Sequence, residues 1–249
     1  SGKDKIAFCG YHGWHDWYLS ANLLNSKNLD QHLIPGLNPK GVPKSLIGST
    51  IPFKYNDFDA LEKIAQDNEL GVIIMEVTRN ERPKDNFLQK IRKLADKKNI
   101  VLIFDECTSG FRENFGGIHL QYGVDPDMAM FGKALGNGYA ITAVIGKKEI
   151  MENAQETFNS STFWTERSGP VAALKTLDLM EKTKSWEIIS KNGKLIKKKW
   201  EKLADKNKLK INIQGIPAII NFSITSSDWL KYKTLISQEM LKKGFLAGN

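Results

Sequence analysis

Two apolar stretches separated by an amphipathic segment constrain the fold of this chain more than any other feature. Consecutive branched apolar residues occur in GVIIMEV at 71–77 and in IVLIFDEC at 100–107, without the polar alternation of a half-exposed strand. Between them, NFLQKIRKLADKKN at 86–99 has the spacing of a helix with one apolar face. The order strand, helix, strand predicts an α/β fold with a mostly parallel or mixed sheet covered by helices on both faces.

The rest of the chain continues this alternation. Further strands are predicted at 5–10, 127–132 and 139–146, and further helices at 56–68 and 168–183. Segment 20–55 differs, because it is rich in proline, glycine and asparagine. We expect a long irregular excursion there, of the kind that is often functional or mobile.

A basic net charge can indicate a surface that binds the phosphates of nucleic acids. The formal net charge is +8, and most of the excess lies in residues 184–210. Lysines alternate there with acidic and apolar residues at helical spacing, as on the solvated face of an amphipathic helix. We therefore predict no nucleic-acid partner.

Composition and cysteine content favour an ordinary cytoplasmic protein. No apolar run approaches the roughly 18 residues that span a bilayer, and the first residues lack the features of a signal peptide. The chain has two cysteines, Cys9 and Cys107, without the CxxC spacing of a zinc site. His12, His15 and Asp16 are close in sequence, but no further ligand accompanies them, and His15 and Asp16 fit the lining of a substrate pocket or a turn better. We predict no metal and no membrane partner.

Two side chains at the ends of predicted strands suggest a ligand-binding or catalytic site. Asp105 ends an apolar strand, where ligands bind in open α/β sheets, although it could instead cap a helix or pair with Arg112. Lys133 ends another strand, before a loop with Gly136 and Gly138. A lysine in a dry turn would present a free amine for Schiff-base chemistry, although a surface lysine is the ordinary alternative. A buried acid and a buried lysine on neighbouring strand ends suit pyridoxal 5'-phosphate (PLP).

Three segments together resemble one family. They are GYHGWHDW at 10–17, IFDECTSGFR at 103–112 and MFGKALGNGYAITAVIG at 130–146. In order and spacing they resemble class III pyridoxal-phosphate aminotransferases, most closely the group of glutamate-1-semialdehyde 2,1-aminomutase and its relatives. The resemblance continues through 161–182 and so covers nearly the whole chain. It implies a fold-type I PLP-dependent transferase with the start of a smaller C-terminal α+β domain.

The resemblance assigns roles to the two strand-end residues and to the segment that begins at residue 10. Lys133 would form the Schiff base with the cofactor and, once released, move protons at the substrate α-carbon. Asp105 would pair with the pyridine nitrogen, so that the ring accepts electrons. Tyr11 would stack on one face of the ring, with His12 and Gly13 completing its motif.

Further cofactor contacts are implied by the same resemblance. Cys107 takes the position of the usual valine on the second face of the ring, and Glu106 would support the site from behind. A threonine of the partner subunit would reach the cofactor phosphate. Gap-free counting favours Thr165 for this contact, whereas the local Thr-Phe pair favours Thr162. The implied protein is a homodimer with its site at the subunit interface.

Several departures from the family pattern accompany these matches. The usual Glu-Pro is Glu76-Val77, and the following TRNE leaves Asn80 and Glu81 as candidate contacts only. The phosphate-binding segment of the family has no counterpart in the chain, so we expect an internal fragment that binds PLP weakly by itself. Its expected parts are a large PLP-binding domain at 1–185 and the start of the small domain at 186–249.

The function predicted from these observations is PLP-dependent amino-group transfer between a small-molecule amino donor and a carbonyl acceptor. Aminotransferase and aminomutase share all the residues named above. A non-catalytic remnant that folds or oligomerises without cofactor is the alternative. Trp14, Trp17 and Trp164 are candidates to line the substrate pocket, although core packing is the commoner role of tryptophan.

Overall fold

The structure is a computed structural model that describes residues 1–32, 34–163 and 165–246. Six strands of the described residues form the main sheet. They are β1 (Lys5–Cys9), β2 (Thr50–Pro52), β3 (Leu70–Glu76), β4 (Val101–Asp105), β5 (Met128–Phe131) and β6 (Ala143–Gly146). Their order in the sheet is β2-β1-β3-β4-β5-β6. All neighbouring pairs are parallel except β5 and β6, so the sheet is mostly parallel, as predicted.

Helices and a small second sheet complete the described architecture. The α-helices are α1 (Asp16–Leu19), α2 (Ala21–Leu24), α3 (Phe58–Asp67), α4 (Phe87–Lys98), α5 (Lys148–Met151), α6 (Ser168–Thr183), α7 (Ser185–Lys206) and α8 (Trp229–Lys242). An antiparallel pair is formed by β7 (Ile211–Gln214) and β8 (Asn221–Ile224). None of the helices in the described ranges combines the length and apolar character needed to cross a bilayer.

The side chains of β3 show why its sequence is apolar throughout. Ile73 and Met75 belong to a core cluster with residues of α3 and α4. Ile74 lies on the opposite face, in a second cluster with Phe8 and Tyr18. Successive strand residues point to opposite faces, so a strand covered on both sides needs apolar residues at every position. This arrangement confirms the predicted α/β fold.

Polar residues occupy the boundaries of the predicted helices α3 and α4. Asp57 precedes α3 and accepts a hydrogen bond from the backbone N–H of Ala60 at 3.0 Å, which satisfies a free donor of the first turn. Asn86 and Asn99 flank α4 in left-handed conformations, with φ of 57° and 50°. Asparagine tolerates this region better than most residues, so both positions suit the end of a helix.

The structure departs from two sequence-based expectations. Helix α2 and strand β2 lie within segment 20–55, which was expected to be irregular, and Pro52 is tolerated in β2 because this strand is at the sheet edge. The strand predicted at 139–146 begins only at Ala143. Residues before it form a turn in which Asn137 and Gly138 have positive φ, and this backbone does not continue a strand.

The C-terminal region packs against the main sheet assembly. Ile216 is 1% exposed and belongs to the principal core cluster. The backbone N–H of Gly215 donates to the carbonyl oxygen of Asn80 at 3.1 Å. A Cβ added at Gly193 of α7 would lie 1.7 Å from the carbonyl oxygen of Pro217. The absence of a side chain at Gly193 therefore permits the close approach of helix and loop.

Candidate active site

The carboxyl ends of three adjacent parallel strands bring the candidate residues to one edge of the sheet. Glu76 and Asp105 are the last residues of β3 and β4, and they face each other in the strand register. Lys133 follows the end of β5, which is the next strand. The predicted placement of Asp105 and Lys133 on neighbouring strand ends is therefore confirmed. Ligands of open α/β sheets bind at this edge.

Asp105 is buried and fully engaged in hydrogen bonding. It is 6% exposed. Its Oδ2 accepts a hydrogen bond from Nδ1 of His12 at 2.9 Å, and its Oδ1 accepts one from the backbone N–H of Cys107 at 3.0 Å. His12, rather than Arg112, is therefore the partner that the buried acid requires.

His12 contacts hydrogen-bond acceptors through both ring nitrogens. Its Nε2 lies 3.1 Å from the carbonyl oxygen of Cys9, while its Nδ1 faces the Asp105 carboxylate. The ring is therefore held at both nitrogens, between the carboxylate at the end of β4 and the carbonyl oxygen at the end of β1.

The pKa of Asp105 reflects competing effects. Burial by itself would raise the pKa of this carboxyl, but the hydrogen bond and charge of His12 and the backbone N–H of Cys107 together hold it below its ordinary value. The carboxylate is therefore ionised at neutral pH. It can face a cationic group such as a protonated ring nitrogen.

Lys133 lies in the turn after β5, in one turn of 3₁₀ helix with a positive φ of 43°. Its Nζ donates a hydrogen bond to Oγ1 of Thr108 at 2.7 Å. Within the described residues, no carboxylate lies in ion-pairing range of this amine. The expectation of a dry, buried lysine is wrong for this chain, because Lys133 is exposed.

A groove of about 1020 Å³ begins at Lys133 and runs along α6 to the start of α7. Arg112, Tyr139, Ser168, Met180 and Ile189 contribute to its walls. The groove is open, so the amine is reachable by a small molecule from this side.

Tyr11 belongs to an aromatic cluster beside Asp105. Its ring centroid is 4.8 Å from that of Trp14 and 5.7 Å from that of Tyr18. Gly13 has a positive φ of 91°, and an added Cβ would lie 2.7 Å from Nε2 of His15. The glycine is therefore needed for the turn that carries Tyr11 and His12.

The two other tryptophans proposed for the pocket have different environments. Trp17 packs near His12, at 6.4 Å between ring centroids, and is partly buried. Trp164 lies outside the described residues.

A second buried carboxylate supports the same loop. Glu76 is 5% exposed, pairs with Arg79 at 3.0 Å, and accepts a hydrogen bond from the backbone N–H of Tyr11 at 3.1 Å. Burial raises the pKa of Glu76, while Arg79 and the Tyr11 N–H oppose this rise. A Cβ at Gly10, where φ is 107°, would lie 2.5 Å from Oε2 of Glu76. Glycine therefore allows the loop to lie directly on the carboxylate.

Cys107 follows Asp105 and lies close to the lysine turn. A Cβ added at Gly132 would be 3.4 Å from its Sγ. Burial, and then the nearby charge of Asp105, raise the pKa of the Cys107 thiol to about 12. The thiol is therefore neutral and can serve as a small apolar surface.

Glu106 points away from Asp105 into a fully buried polar cluster. Its Oε1 lies 2.8 Å from Nδ1 of His119 and accepts from the backbone N–H of the same residue at 3.0 Å. Its Oε2 accepts a hydrogen bond from the hydroxyl of Ser109. Glu106 thus holds the turn after β4 in place through Ser109 and His119, and its supporting role in a cofactor site stays a prediction.

The remaining candidates lie at exposed positions. Thr162 and Thr165 are both exposed and are not brought to Asp105 by any hydrogen bond of the described residues. Asn80 and Glu81 are exposed as well, and Glu81 pairs with Lys84 at 3.1 Å. The structure therefore unites Lys133, Asp105, His12 and Cys107, and leaves these four residues at the periphery.

The sequence patterns did not mark Thr108, His32 or His119 as residues of this site. His119 holds Glu106, and His32 accepts a hydrogen bond from the backbone N–H of Gly10 at 3.2 Å. Burial, with a smaller effect of the His12 charge, lowers the pKa of His32 to about 4. No local sequence signal marks these contacts, because each joins residues that are distant in the chain.

Known proteins resemble this chain in sequence over most of its length. The family model described as "Aminotransferase class-III" matches residues 6–249. A 3-aminobutyryl-CoA aminotransferase of Cloacimonas acidaminovorans is 34% identical over 248 residues, which are 96% of this chain and 53% of the relative. A glutamate-1-semialdehyde 2,1-aminomutase of Sulfurisphaera tokodaii is 34% identical over 223 residues, which are 86% of this chain and 52% of the relative. The chain spans about half the length of these curated relatives.

Solved structures share the fold. The FumI protein of Sphingopyxis sp. MTA144, in its PLP internal aldimine form, superposes with a TM-score of 0.84 and 20% identity, over 99% of this chain and 58% of that one. An omega-transaminase from Sphaerobacter thermophilus superposes with a TM-score of 0.81 and 21% identity, over 98% of this chain and 62% of that one. The fold is therefore that of PLP-dependent transaminases, as the resemblance implied. With the family match over nearly its whole length, this chain belongs to the class III aminotransferases, a PLP-dependent family.

Proposed function

We propose that the protein transfers amino groups with PLP, using Lys133 as the covalent anchor and Asp105 as the partner of the ring nitrogen. The observation that carries this proposal is the buried Asp105–His12 pair one strand away from an accessible lysine amine. The substrates would be a small-molecule amino donor and a carbonyl acceptor.

The residues present fit this cofactor in charge and shape. An ionised carboxylate in a buried site matches a protonated ring nitrogen, and His12 prevents the carboxylate from being neutralised. Tyr11 and the neutral Cys107 thiol offer an aromatic and a small apolar surface near that carboxylate. The Nζ of Lys133 is held by a hydroxyl rather than by a carboxylate, so no ion pair must break before it reacts.

When bound, PLP supplies an electron sink for the substrate α-carbon. Asp105 would face the ring nitrogen as an ionised carboxylate that His12 and the Cys107 N–H hold in place. Once its Nζ is released as a free amine, Lys133 would take a proton from the substrate α-carbon and return it. The open groove beside Lys133 admits the substrate.

Assembly and location form part of the same proposal. The complete protein would be a cytoplasmic homodimer, in which Thr165, or alternatively Thr162, reaches the cofactor phosphate of the other subunit. The exposure of both threonines is consistent with such a contact. Residues 1–185 would form the large domain and residues 186–249 the start of the small one.

Borohydride reduction tests the central assignment. The PLP-loaded protein is expected to show a visible absorption band that borohydride bleaches, and the reduced cofactor should be recovered on the peptide that contains Lys133. Lys147 and Lys148 lie on a nearby segment and serve as internal references. Recovery of the label on either of these would contradict the assignment.

A half-reaction with amino donors separates the remaining alternatives. Loss of the visible band on adding a donor, with recovery on adding a carbonyl compound, would indicate amino transfer between molecules. Isomerisation of one compound without a second substrate would indicate an aminomutase. The printed names of the relatives suggest 3-aminobutyryl-CoA and glutamate-1-semialdehyde as the first two compounds to use. A complete protein that retains no PLP would instead be the non-catalytic remnant.

A further inference from the structure

The amine of Lys133 is held by a residue outside the roles assigned above. Its Nζ donates to Oγ1 of Thr108 at 2.7 Å, and the two residues are 25 positions apart. Thr108 belongs to the turn that directly follows Asp105 at the end of β4. This turn therefore contacts the proposed anchor, Lys133, through Thr108, and the proposed ring partner, Asp105, through the backbone N–H of Cys107.

The turn that carries Thr108 is fixed at several points. Oδ1 of Asp105 accepts the Cys107 N–H, and the Gly110 N–H donates to the Glu106 carbonyl at 2.8 Å. Below the turn, the buried Glu106 side chain binds Ser109 and His119. The Thr108 hydroxyl therefore has a defined position relative to the Asp105 carboxylate.

The lysine side chain, in contrast, has little else to hold it. Lys133 is exposed, and its long side chain loses rotamer freedom when it is ordered. A neutral hydroxyl can orient the amine without supplying the negative charge that would stabilise its protonated form. This distinguishes Thr108 from a carboxylate at the same place.

We propose that Thr108 is a positioning residue that orients the Lys133 amine for capture of a carbonyl. This role of Thr108 rests on the proposed function of Lys133 and adds one further residue to the same site. In the capture step, Nζ forms a bond to the aldehyde carbon, the carbonyl oxygen leaves as water, and the amine supplies the two protons of that water. Holding Nζ in one place raises the fraction of amines that are ready to react.

The first experiment measures the rate at which the apo protein captures PLP, followed by the visible band. Thr108→Val keeps the shape of the side chain and removes the hydroxyl. We expect capture to slow about tenfold, which corresponds to the loss of one ordinary hydrogen bond. Thr108→Ser restores a hydroxyl and should stay within about threefold of the wild type. Thr142→Val is the matched control, because Thr142 is exposed and near Gly132, and it should capture PLP at the wild-type rate.

The second experiment uses no cofactor. The acetylation rate of Lys133 by acetic anhydride is followed against pH by peptide mass spectrometry, with Lys147 as an internal reference. Thr108→Asp places a carboxylate beside the amine, which favours its protonated form, and we expect the midpoint of the Lys133 profile to rise by about one pH unit. Thr142→Asp should move the midpoint less, and the Lys147 profile should not follow.

Two results would overturn the proposal. One is capture of PLP by Thr108→Val at the wild-type rate, and the other is an unchanged acetylation profile in Thr108→Asp. If the wild type instead captures PLP on another lysine, the proposed function fails, while the acetylation profile still decides whether Thr108 contacts Lys133. Urea unfolding of each variant shows that the fold is retained, and the acetylation profile of Thr108→Asp preserves the test if Thr108→Val is unstable.

Discussion

Nδ1 of His12 lies 2.9 Å from Oδ2 of Asp105, across 93 residues of sequence. This contact joins the loop after β1 to the end of β4, and both side chains are buried. It keeps the carboxylate charged at a place where burial alone would favour its neutral form. The pair thus serves both the stability of the sheet edge and the chemistry proposed there.

Asp105→Asn tests the need for the charge. The amide keeps the shape of the side chain but cannot stabilise a protonated ring nitrogen, so we expect the rate of the amino-donor half-reaction to fall roughly 10²- to 10³-fold. Stopped-flow absorption measures this rate, and circular dichroism checks that the fold persists. A half-reaction at near wild-type rate would show that the acid has only a structural role.

His12→Ala tests the buried pair itself. The change leaves the Asp105 carboxylate buried without its partner, and we expect the free energy of unfolding at pH 7 to fall by about 3 kcal/mol. The double variant His12→Ala with Asp105→Asn removes the uncompensated charge and should recover part of this loss. Urea unfolding measures all three proteins. Equal stability of the single His12 variant and the double variant would mean that the charge contributes little.

His32 predicts a pH dependence of stability. Its pKa is lowered to about 4 in the folded state, first by burial and then by the charge of His12, from an ordinary value near 6.5. Between these values the unfolded chain binds the extra proton, so stability should fall as pH decreases from about 6.5 to 4. His32→Asn keeps an acceptor for the Gly10 N–H and removes the titration.

The measurement for His32 is the free energy of unfolding in urea at pH 7, 6 and 5. The wild type should lose stability over this range more steeply than His32→Asn, by up to about 1.4 kcal/mol per pH unit. Parallel curves for the two proteins would contradict the burial of a neutral His32.

Gly193→Ala tests the contact between α7 and the C-terminal region. Any Cβ at this position would lie 1.7 Å from the carbonyl oxygen of Pro217, so helix and loop must separate. We expect a loss of about 1–3 kcal/mol in the free energy of unfolding, as for other overpacked sites. Asn192→Ala, at an exposed position of the same helix, is the control and should change stability by less than about 0.5 kcal/mol. A neutral Gly193→Ala would show that the loop does not pack on α7.

The amino-acid sequence by itself determined the central strands and most of the long helices. β3, α4 and β4 follow from apolar runs and from a helical period, because these signals act between neighbouring residues. The same patterns placed Asp105 and Lys133 at neighbouring strand ends, since parallel strands finish at a common sheet edge. The family resemblance then suggested roles for both residues.

Tertiary structure alone decided which side chains meet. The partner of Asp105 is His12 rather than Arg112, and Glu106 binds His119, a histidine without any sequence pattern. It also decided that Lys133 is exposed and bonded to Thr108. These outcomes depend on strand order and on the paths of loops between distant segments. A local sequence pattern carries no information on either, because the energy of each contact comes from groups that only the fold brings together.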